Sequence, residues 1–152
     1  GFIFIGLMNC GGEPYVVEYN VRLGDPETEV ILPRIKSDFL QMLIHTVKGE
    51  LKQYKPEYDT RTAATVMLVS GGYPGEYAKN KLITGLKDVK DSLTFHAGTV
   101  LKNDKILTAG GRVISVSSLG NNMQEALKIT YRNIEKINFE GKYYRKDIGF
   151  DI

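Results

Sequence analysis

Val16-Val17-Glu18-Tyr19-Asn20-Val21-Arg22-Leu23-Gly24-Asp25-Pro26-Glu27-Thr28-Glu29 runs a strand pattern directly into an acid-rich helix start. Side chains of a strand alternate between two faces, so Glu18, Asn20 and Arg22 are predicted to share one face and Val17, Tyr19 and Val21 the other. A carboxylate and an amide oxygen two residues apart can together hold a hard cation such as Mg²⁺, which takes oxygen ligands and keeps water or substrate phosphates for the rest of its shell. Arg22 can grip an anionic group in two-pronged fashion. The same alternation also suits a half-exposed strand of a solvated sheet, with Glu18 paired to a lysine.

The residues that follow carry a second pair of readings. Asp25 is placed as an N-cap, Pro26 as the first helical residue, and Glu27 and Glu29 complement the positive end of a helix. Gly24 lets the chain turn sharply before the cap, so that the free N–H groups of the first turn would face whatever Arg22 faces. A helix start and one edge of a site are compatible here.

Upstream, residues 2 to 9 are predicted to pair with residues 15 to 22 as a hairpin. Downstream, Phe39, Leu40, Leu43, Ile44 and Val47 fall at helical spacing behind the N-cap candidate Ser37, and Gly49 fits the stop. The polar run from Lys52 to Asp59 reads as a connection. Beyond it the pattern changes to short strands: Ala64 to Val69, Lys81 to Thr84, Leu93 to His96, Val100 to Leu101, Lys105 to Thr108 and Arg112 to Ser118. Asn103-Asp104 suits a two-residue hairpin turn. A last helix from about Asn122 to Ile137 sets Met123, Ala126, Leu127, Ile134 and Ile137 on one stripe, with Asn122 and Glu125 in capping-box relation. Runs of strands followed by a packed helix define an α+β class.

The 152 residues suit one ordinary domain or a domain with an appendage, and 42% apolar content is enough for a core. With 20 basic against 18 acidic side chains the net charge is +2, which gives no reason to expect a nucleic-acid surface. The single cysteine, Cys10, excludes an internal disulfide and suits a reducing compartment. No apolar run approaches the roughly 20 residues of a membrane-spanning helix, so no membrane partner is expected and a cytoplasmic location is.

Other motifs are weaker. Gly71-Gly72-Tyr73-Pro74-Gly75 lacks the lysine and serine that end a phosphate-cradling P-loop and the spaced glycines of a dinucleotide fold, and reads as a tight turn. Gly110-Gly111-Arg112 suits either a bulge followed by a surface arginine or a backbone approach to a ligand whose phosphate Arg112 meets. His45 lies inside an amphipathic helix, and His96 closes a strand, where it can orient a loop. One cysteine and two distant histidines give neither zinc spacing nor a nucleophile–base pair.

The run from Glu18 to Thr28 resembles the end of the ATP-grasp domain in the glycinamide ribonucleotide synthetase (phosphoribosylamine–glycine ligase) family of purine biosynthesis. Matching blocks follow in order: Leu32-Pro33-Arg34 with Lys36-Ser37-Asp38, Ser70-Gly71-Gly72-Tyr73-Pro74-Gly75-Glu76-Tyr77, Thr84-Gly85-Leu86 and Phe95-His96-Ala97-Gly98-Thr99. The last are Gly110-Gly111-Arg112-Val113, Ser118-Leu119-Gly120 and Tyr144-Arg145-Lys146-Asp147-Ile148-Gly149. Leu23 stands where the family often has an aromatic residue.

The resemblance implies that residues 1–58 are the C-terminal remnant of an ATP-grasp domain and residues 59–152 the strand-rich C-terminal domain with its one long packed helix. The chain is then expected to be a fragment, since Gly1 opens in mid-strand without an initiator methionine or signal peptide. Its partner would be the missing N-terminal part of the same protein. The implied reaction joins glycine to 5-phosphoribosylamine at the expense of ATP through glycyl phosphate, giving glycinamide ribonucleotide, ADP and phosphate. Carried over residue by residue, Glu18 and Asn20 would bind Mg²⁺ (or Mn²⁺) on the ATP phosphates. Arg22, Asp25 and Glu27 would hold the substrate side, with Arg22 and Asp25 closest to the chemistry and Arg112 a further substrate contact. Lacking the adenine-binding half, the fragment alone is expected to be inactive. Another ATP-grasp ligase or a carboxylase, or a non-catalytic interaction module, are the alternatives.

Overall fold

The structure is a computed structural model that describes residues 1–150, and the chain divides into two compact units, Gly1–Asp59 and Thr60–Ile152. Helices and antiparallel sheets occur together, as an α+β class requires.

In the first unit, β1 (Phe4–Cys10) and β2 (Glu13–Asn20) form an antiparallel hairpin around Gly11-Gly12. The Asn9 side chain fixes the turn by accepting from the Gly12 N–H at 2.8 Å. Pairing slips between Gly6 and Leu7, where Val17 is the extra residue of a β-bulge. The ladder ends at Phe4 opposite Asn20, two residues earlier on β2 than the sequence pattern suggests. A single turn, α1 (Thr28–Ile31), and α2 (Phe39–Val47) follow.

The cap of α2 is Asp38, whose carboxylate accepts from the Gln41 N–H at 3.1 Å, and not Ser37. Ser37 is occupied elsewhere, its hydroxyl accepting from the Glu57 N–H at 3.1 Å. Phe2 stacks on Phe39 with ring centroids 6.0 Å apart. No residue of this unit is fully buried. The apolar face of the hairpin stays open, with Val17 63% and Tyr19 69% exposed, because a lone two-stranded ribbon has no second layer to bury it.

The second unit contains the core. Its sheet runs β4 (Leu93–His96), β7 (Arg112–Gly120), β3 (Thr62–Ser70), β8 (Lys142–Tyr143), all antiparallel neighbours. Val66 and Leu68 of β3 lie opposite Val116 and Ile114 of β7 on one face. That face meets Ile134 of α3 (Met123–Ile134) and, beyond its end, Ile137 and Phe139. Burying each such side chain contributes about 1.5–3 kcal/mol, and along β3 burial alternates so that Ala64, Val66 and Leu68 point inward.

A separate hairpin, β5 (Thr99–Lys102) with β6 (Lys105–Thr108), turns at Asn103-Asp104. Both turn residues have positive φ, 50° and 56°, as a two-residue primed turn requires.

Helix α3 is capped as expected at Asn122, whose side chain accepts from the Glu125 N–H at 2.9 Å. The return bond from Glu125 goes to the Asn121 N–H at 2.8 Å. The helix closes at Ile134 rather than Ile137. Lys136 and Ile137 bond back only three residues, and Lys142 Nζ donates to the carbonyls of Ile134 (3.1 Å) and Ile137 (2.7 Å).

Lys81 to Thr84 forms isolated bridges instead of a strand, because Ile83 bonds Ile106 while Thr84 turns to Asn138. Gly85 follows at φ +80°, and a Cβ there would lie 1.8 Å from the Lys136 carbonyl oxygen, so only glycine fits.

Candidate functional site

The polar edge of the first unit begins on β2. Glu18 lies opposite Gly6 and Asn20 opposite Phe4, so the two side chains share a face of the hairpin as the alternation predicts. Gly6 keeps space beside Glu18, since a Cβ there would come within 3.1 Å of the Glu18 Cγ. Neither Glu18 nor Asn20 is drawn into a side-chain hydrogen bond or ion pair among the described residues, which leaves both oxygens available. Among those residues no cluster of three or more His, Cys, Asp or Glu is arranged to hold a metal ion. A cation on Glu18 and Asn20 would therefore take most of its ligands from water and a phosphate chain, the habit of Mg²⁺.

Arg22 is not the third member of that row. Pairing has ended at Asn20, Val21 and Arg22 form a bend, and the Arg22 guanidinium donates to the neighbouring Leu23 carbonyl at 3.4 Å. It stands at the strand exit, on the way to the turn that carries Asp25.

That turn is built differently from the sequence expectation. Asp25 does not cap α1 and Pro26 is not its first residue, because the chain already winds from Gly24. The Gly24 carbonyl accepts from the Thr28 N–H at 3.1 Å and from the Thr28 hydroxyl at 2.7 Å. Glu27 reaches back, its Oε1 accepting from the Gly24 N–H at 2.7 Å. The bond has the spacing of the glutamate half of a capping box, but it closes a turn ahead of the helix, whose N-cap is Glu27 itself and whose approach contains a cis Asp25–Pro26 peptide. Reading Gly24-x-x-Glu27 as that box would have found the bond in the sequence. Asp25 sits within the braced turn.

In the second unit three glycine-bearing loops meet at one corner. Ser70 donates its N–H to the Gly111 carbonyl (2.8 Å) and its hydroxyl to that of Gly110 (2.9 Å). The Gly98 N–H donates to the Arg112 carbonyl at 2.8 Å, and a Cβ on Gly98 would lie 2.7 Å from Gly110 Cα. The Tyr73 ring lies against Gly111, where a Cβ would sit 2.0 Å from its Cδ2.

The stretch from Gly71 to Gly75 is two successive turns, Tyr73 N–H to Ser70 O and Gly75 N–H to Gly72 O. The Gly110-Gly111 approach is thus taken by a tyrosine of the same chain, a contact with no periodic signature in the sequence. Arg112, at the start of β7, is half-buried and engaged. His96 Nδ1 lies 2.9 Å from the Thr99 hydroxyl and ties the end of β4 to β5, which suits a loop-orienting residue. His45, on α2, packs beside the Tyr54 ring at 5.5 Å and lies 3.8 Å from Glu50, beyond the helix end.

An antiparallel sheet backed by one long helix, with conformation-bound glycine loops at its corner, and a preceding unit with a polar hairpin edge define an α+β protein. The profile of the phosphoribosylglycinamide synthetase C domain matches residues 63–151, and the chain belongs to that family. It is 50% identical over 149 residues to the phosphoribosylamine–glycine ligase of Caldanaerobacter subterraneus, covering 98% of this chain and 36% of the relative. The corresponding ligase of Chlorobaculum tepidum is 47% identical over 152 residues, with 98% and 36% covered. The crystal structure of phosphoribosylamine–glycine ligase from Thermotoga maritima superposes with a TM-score of 0.76 at 39% identity, covering 97% of this chain and 36% of that one. The chain therefore spans about a third of the length of these relatives. No helix among the described residues is long and apolar enough to cross a membrane.

Proposed function

We propose that this chain is the C-terminal part of a cytoplasmic ATP-dependent ligase that joins glycine to 5-phosphoribosylamine. In this reading residues 1–58 are the end of the ATP-grasp domain and residues 59–152 the C-terminal domain. The observation that carries it is the alignment of nearly the whole chain, polar hairpin edge included, with proteins named for that reaction.

The chemistry asks little covalent help of the protein. Glycine's carboxylate attacks the γ-phosphorus of ATP and ADP leaves; the amine of phosphoribosylamine then attacks the acyl carbon and phosphate leaves. What the protein must supply is alignment of the reactants and neutralisation of the phosphoryl charge.

Glu18 and Asn20 would hold a Mg²⁺ or Mn²⁺ ion, which when bound offsets the negative charge of the ATP phosphates. Arg22 faces the anionic intermediate, Asp25 the ammonium or amine of a substrate, and Glu27 belongs to the same turn. Arg112 is assigned to the phosphate of phosphoribosylamine, on a strand start fixed by the Ser70, Gly98 and Gly110 backbone contacts.

The test is ADP formation by the full-length protein. Activity dependent on glycine and phosphoribosylamine together is expected, with Arg22→Ala and Arg112→Ala each lowering kcat/KM; ATP hydrolysis indifferent to both substrates would contradict the reading.

A further inference from the structure

We infer that Glu27 acts in the substrate edge as a positioning residue: it shapes the turn that presents Arg22 and Asp25 and does not itself bind the substrate amine. The inference rests on the ligase reading above and assigns a role that charge alone would not suggest. A glutamate beside an aspartate invites the assumption that both meet an ammonium group.

The geometry points elsewhere. One carboxylate oxygen of Glu27 is already committed to the Gly24 N–H at 2.7 Å. The rest of the carboxyl group lies against Gly24 as well, since a Cβ on Gly24 would come within 3.0 Å of both Glu27 Cδ and Oε2. The other end of the same peptide segment is held by Thr28, whose hydroxyl donates to the Gly24 carbonyl at 2.7 Å. Gly24 is thus gripped on both its polar groups by side chains three and four residues ahead.

Between the gripped residue and the gripping ones lie only Asp25 and Pro26, and immediately before it lie Arg22 and Leu23. The clasp lies between two regular elements: the β-ladder has ended at Asn20 and α1 begins at Thr28. The Glu27–Gly24–Thr28 clasp braces the turn that carries Asp25 and that follows Arg22.

A bracing role needs an acceptor, not a charge. A glutamine carbonyl can accept the Gly24 N–H as the carboxylate does, with a hydrogen bond weaker by about a kcal/mol, or about fivefold in an equilibrium. A residue that pairs directly with an ammonium group would not tolerate loss of its charge. Misplacement of an aligned group by an ångström costs on the order of a hundredfold in rate.

The experiment compares Glu27→Gln with Glu27→Ala in the full-length enzyme, reading kcat and KM for glycine and for phosphoribosylamine. Glu27→Ala is expected to lower kcat/KM on the order of a hundredfold. Glu27→Gln is expected to recover to within about fivefold of wild type. A second readout needs no turnover: in the 152-residue chain the Gly24 amide proton should be protected from exchange, lose protection in Glu27→Ala and keep it in Glu27→Gln. Glu27→Gln as damaging as Glu27→Ala while Arg22→Ala is also damaging, or an unprotected Gly24 amide in the wild type, would overturn the bracing role alone. Arg22→Ala and Asp25→Ala without effect on either substrate would overturn the substrate edge and the brace together.

Discussion

Thr130 Oγ1 donates to Ser118 Oγ at 2.8 Å with both residues buried, tying α3 to the central strand β7 by a hydroxyl pair. The chain of bonds continues outward: Ser118 Oγ lies 2.7 Å from Ser92 Oγ, and Asn133 Nδ2 donates to Ser92 Oγ and to the Lys90 carbonyl, both at 2.6 Å. Asn133 is fully buried, so its amide is the hub through which the loop before β4 is attached to the helix. Replacing it with alanine removes both bonds to the Lys90 peptide and one of the two to Ser92, which keeps Ser118. Asn133→Ala is expected to destabilise by about 2–3 kcal/mol, read as a lower urea midpoint at unchanged slope. A loss below about 0.5 kcal/mol would show that the network is dispensable.

Gly85 and Gly141 separate two costs that are often merged. Both have positive φ, +80° and +77°, but a Cβ on Gly85 would meet the Lys136 carbonyl at 1.8 Å while one on Gly141 has nothing nearer than 3.6 Å. Gly141→Ala should cost only the left-handed backbone penalty, about 1–2 kcal/mol. Gly85→Ala should cost clearly more, because backbone on the Thr84–Asn138 bridge must move. Equal thermal shifts for the two variants would contradict the clash.

Tyr144 supplies a pH signature. Its hydroxyl donates to the Glu135 carboxylate, and this bond, with partial burial and the negative charge of Glu135, pushes its pKa from 10.0 up to about 12. The folded state thus holds the proton more tightly than the unfolded one. The contribution is fully present below pH 10 and is lost as pH rises towards 12. Ultraviolet titration should show a tyrosine ionising at about pH 12, absent in Tyr144→Phe. Identical alkaline curves for the two proteins would contradict the assignment.

Asp147 works in the opposite direction. Hydrogen bonds from Arg145 at 2.9 and 3.0 Å hold its carboxyl below the usual range. The ionised form is favoured by folding, so that contribution exists above the ordinary aspartate pKa and disappears as acid protonates it. Arg145→Ala should raise the Asp147 pKa in a carboxyl-carbon NMR titration, and an unchanged value would rule out the pair as the cause.

Much of this architecture was legible because it depends on local rules. The cap at Asn122, the primed turn at Asn103-Asp104 and the strand pattern of β3 and β7 are each set by residues within a few positions of one another. What escaped was set by partners far away or by competition. Ser37 reads as a cap until Glu57, twenty residues on, claims its hydroxyl and leaves the role to Asp38. Lys142–Tyr143 is too short for any period and exists only because β3 offers an edge. The polar edge was half legible: alternation put Glu18 and Asn20 on one face, but it could not say that pairing stops before Arg22 or that Glu27 would bond back to Gly24.

The open apolar face of the first unit bears on how the chain works. Val17, Tyr19 and Val21 are all exposed. If the adenine-binding half lies outside these residues, Mg²⁺ with ADP should raise the melting temperature of the full-length protein and leave that of the 152-residue chain unchanged. A shift in the isolated chain would mean that it carries a nucleotide pocket of its own.

The central claim is that Glu18 and Asn20 form the metal-binding wall of a ligase site. It is tested most directly by measuring ADP formation from ATP, glycine and phosphoribosylamine by the full-length protein across a Mg²⁺ or Mn²⁺ titration, for wild type and for Glu18→Gln with Asn20→Ala. A fall in kcat/KM on the order of a hundredfold, with a higher metal concentration needed for half-maximal rate, is predicted. Wild-type turnover at wild-type metal dependence in the double variant would contradict it.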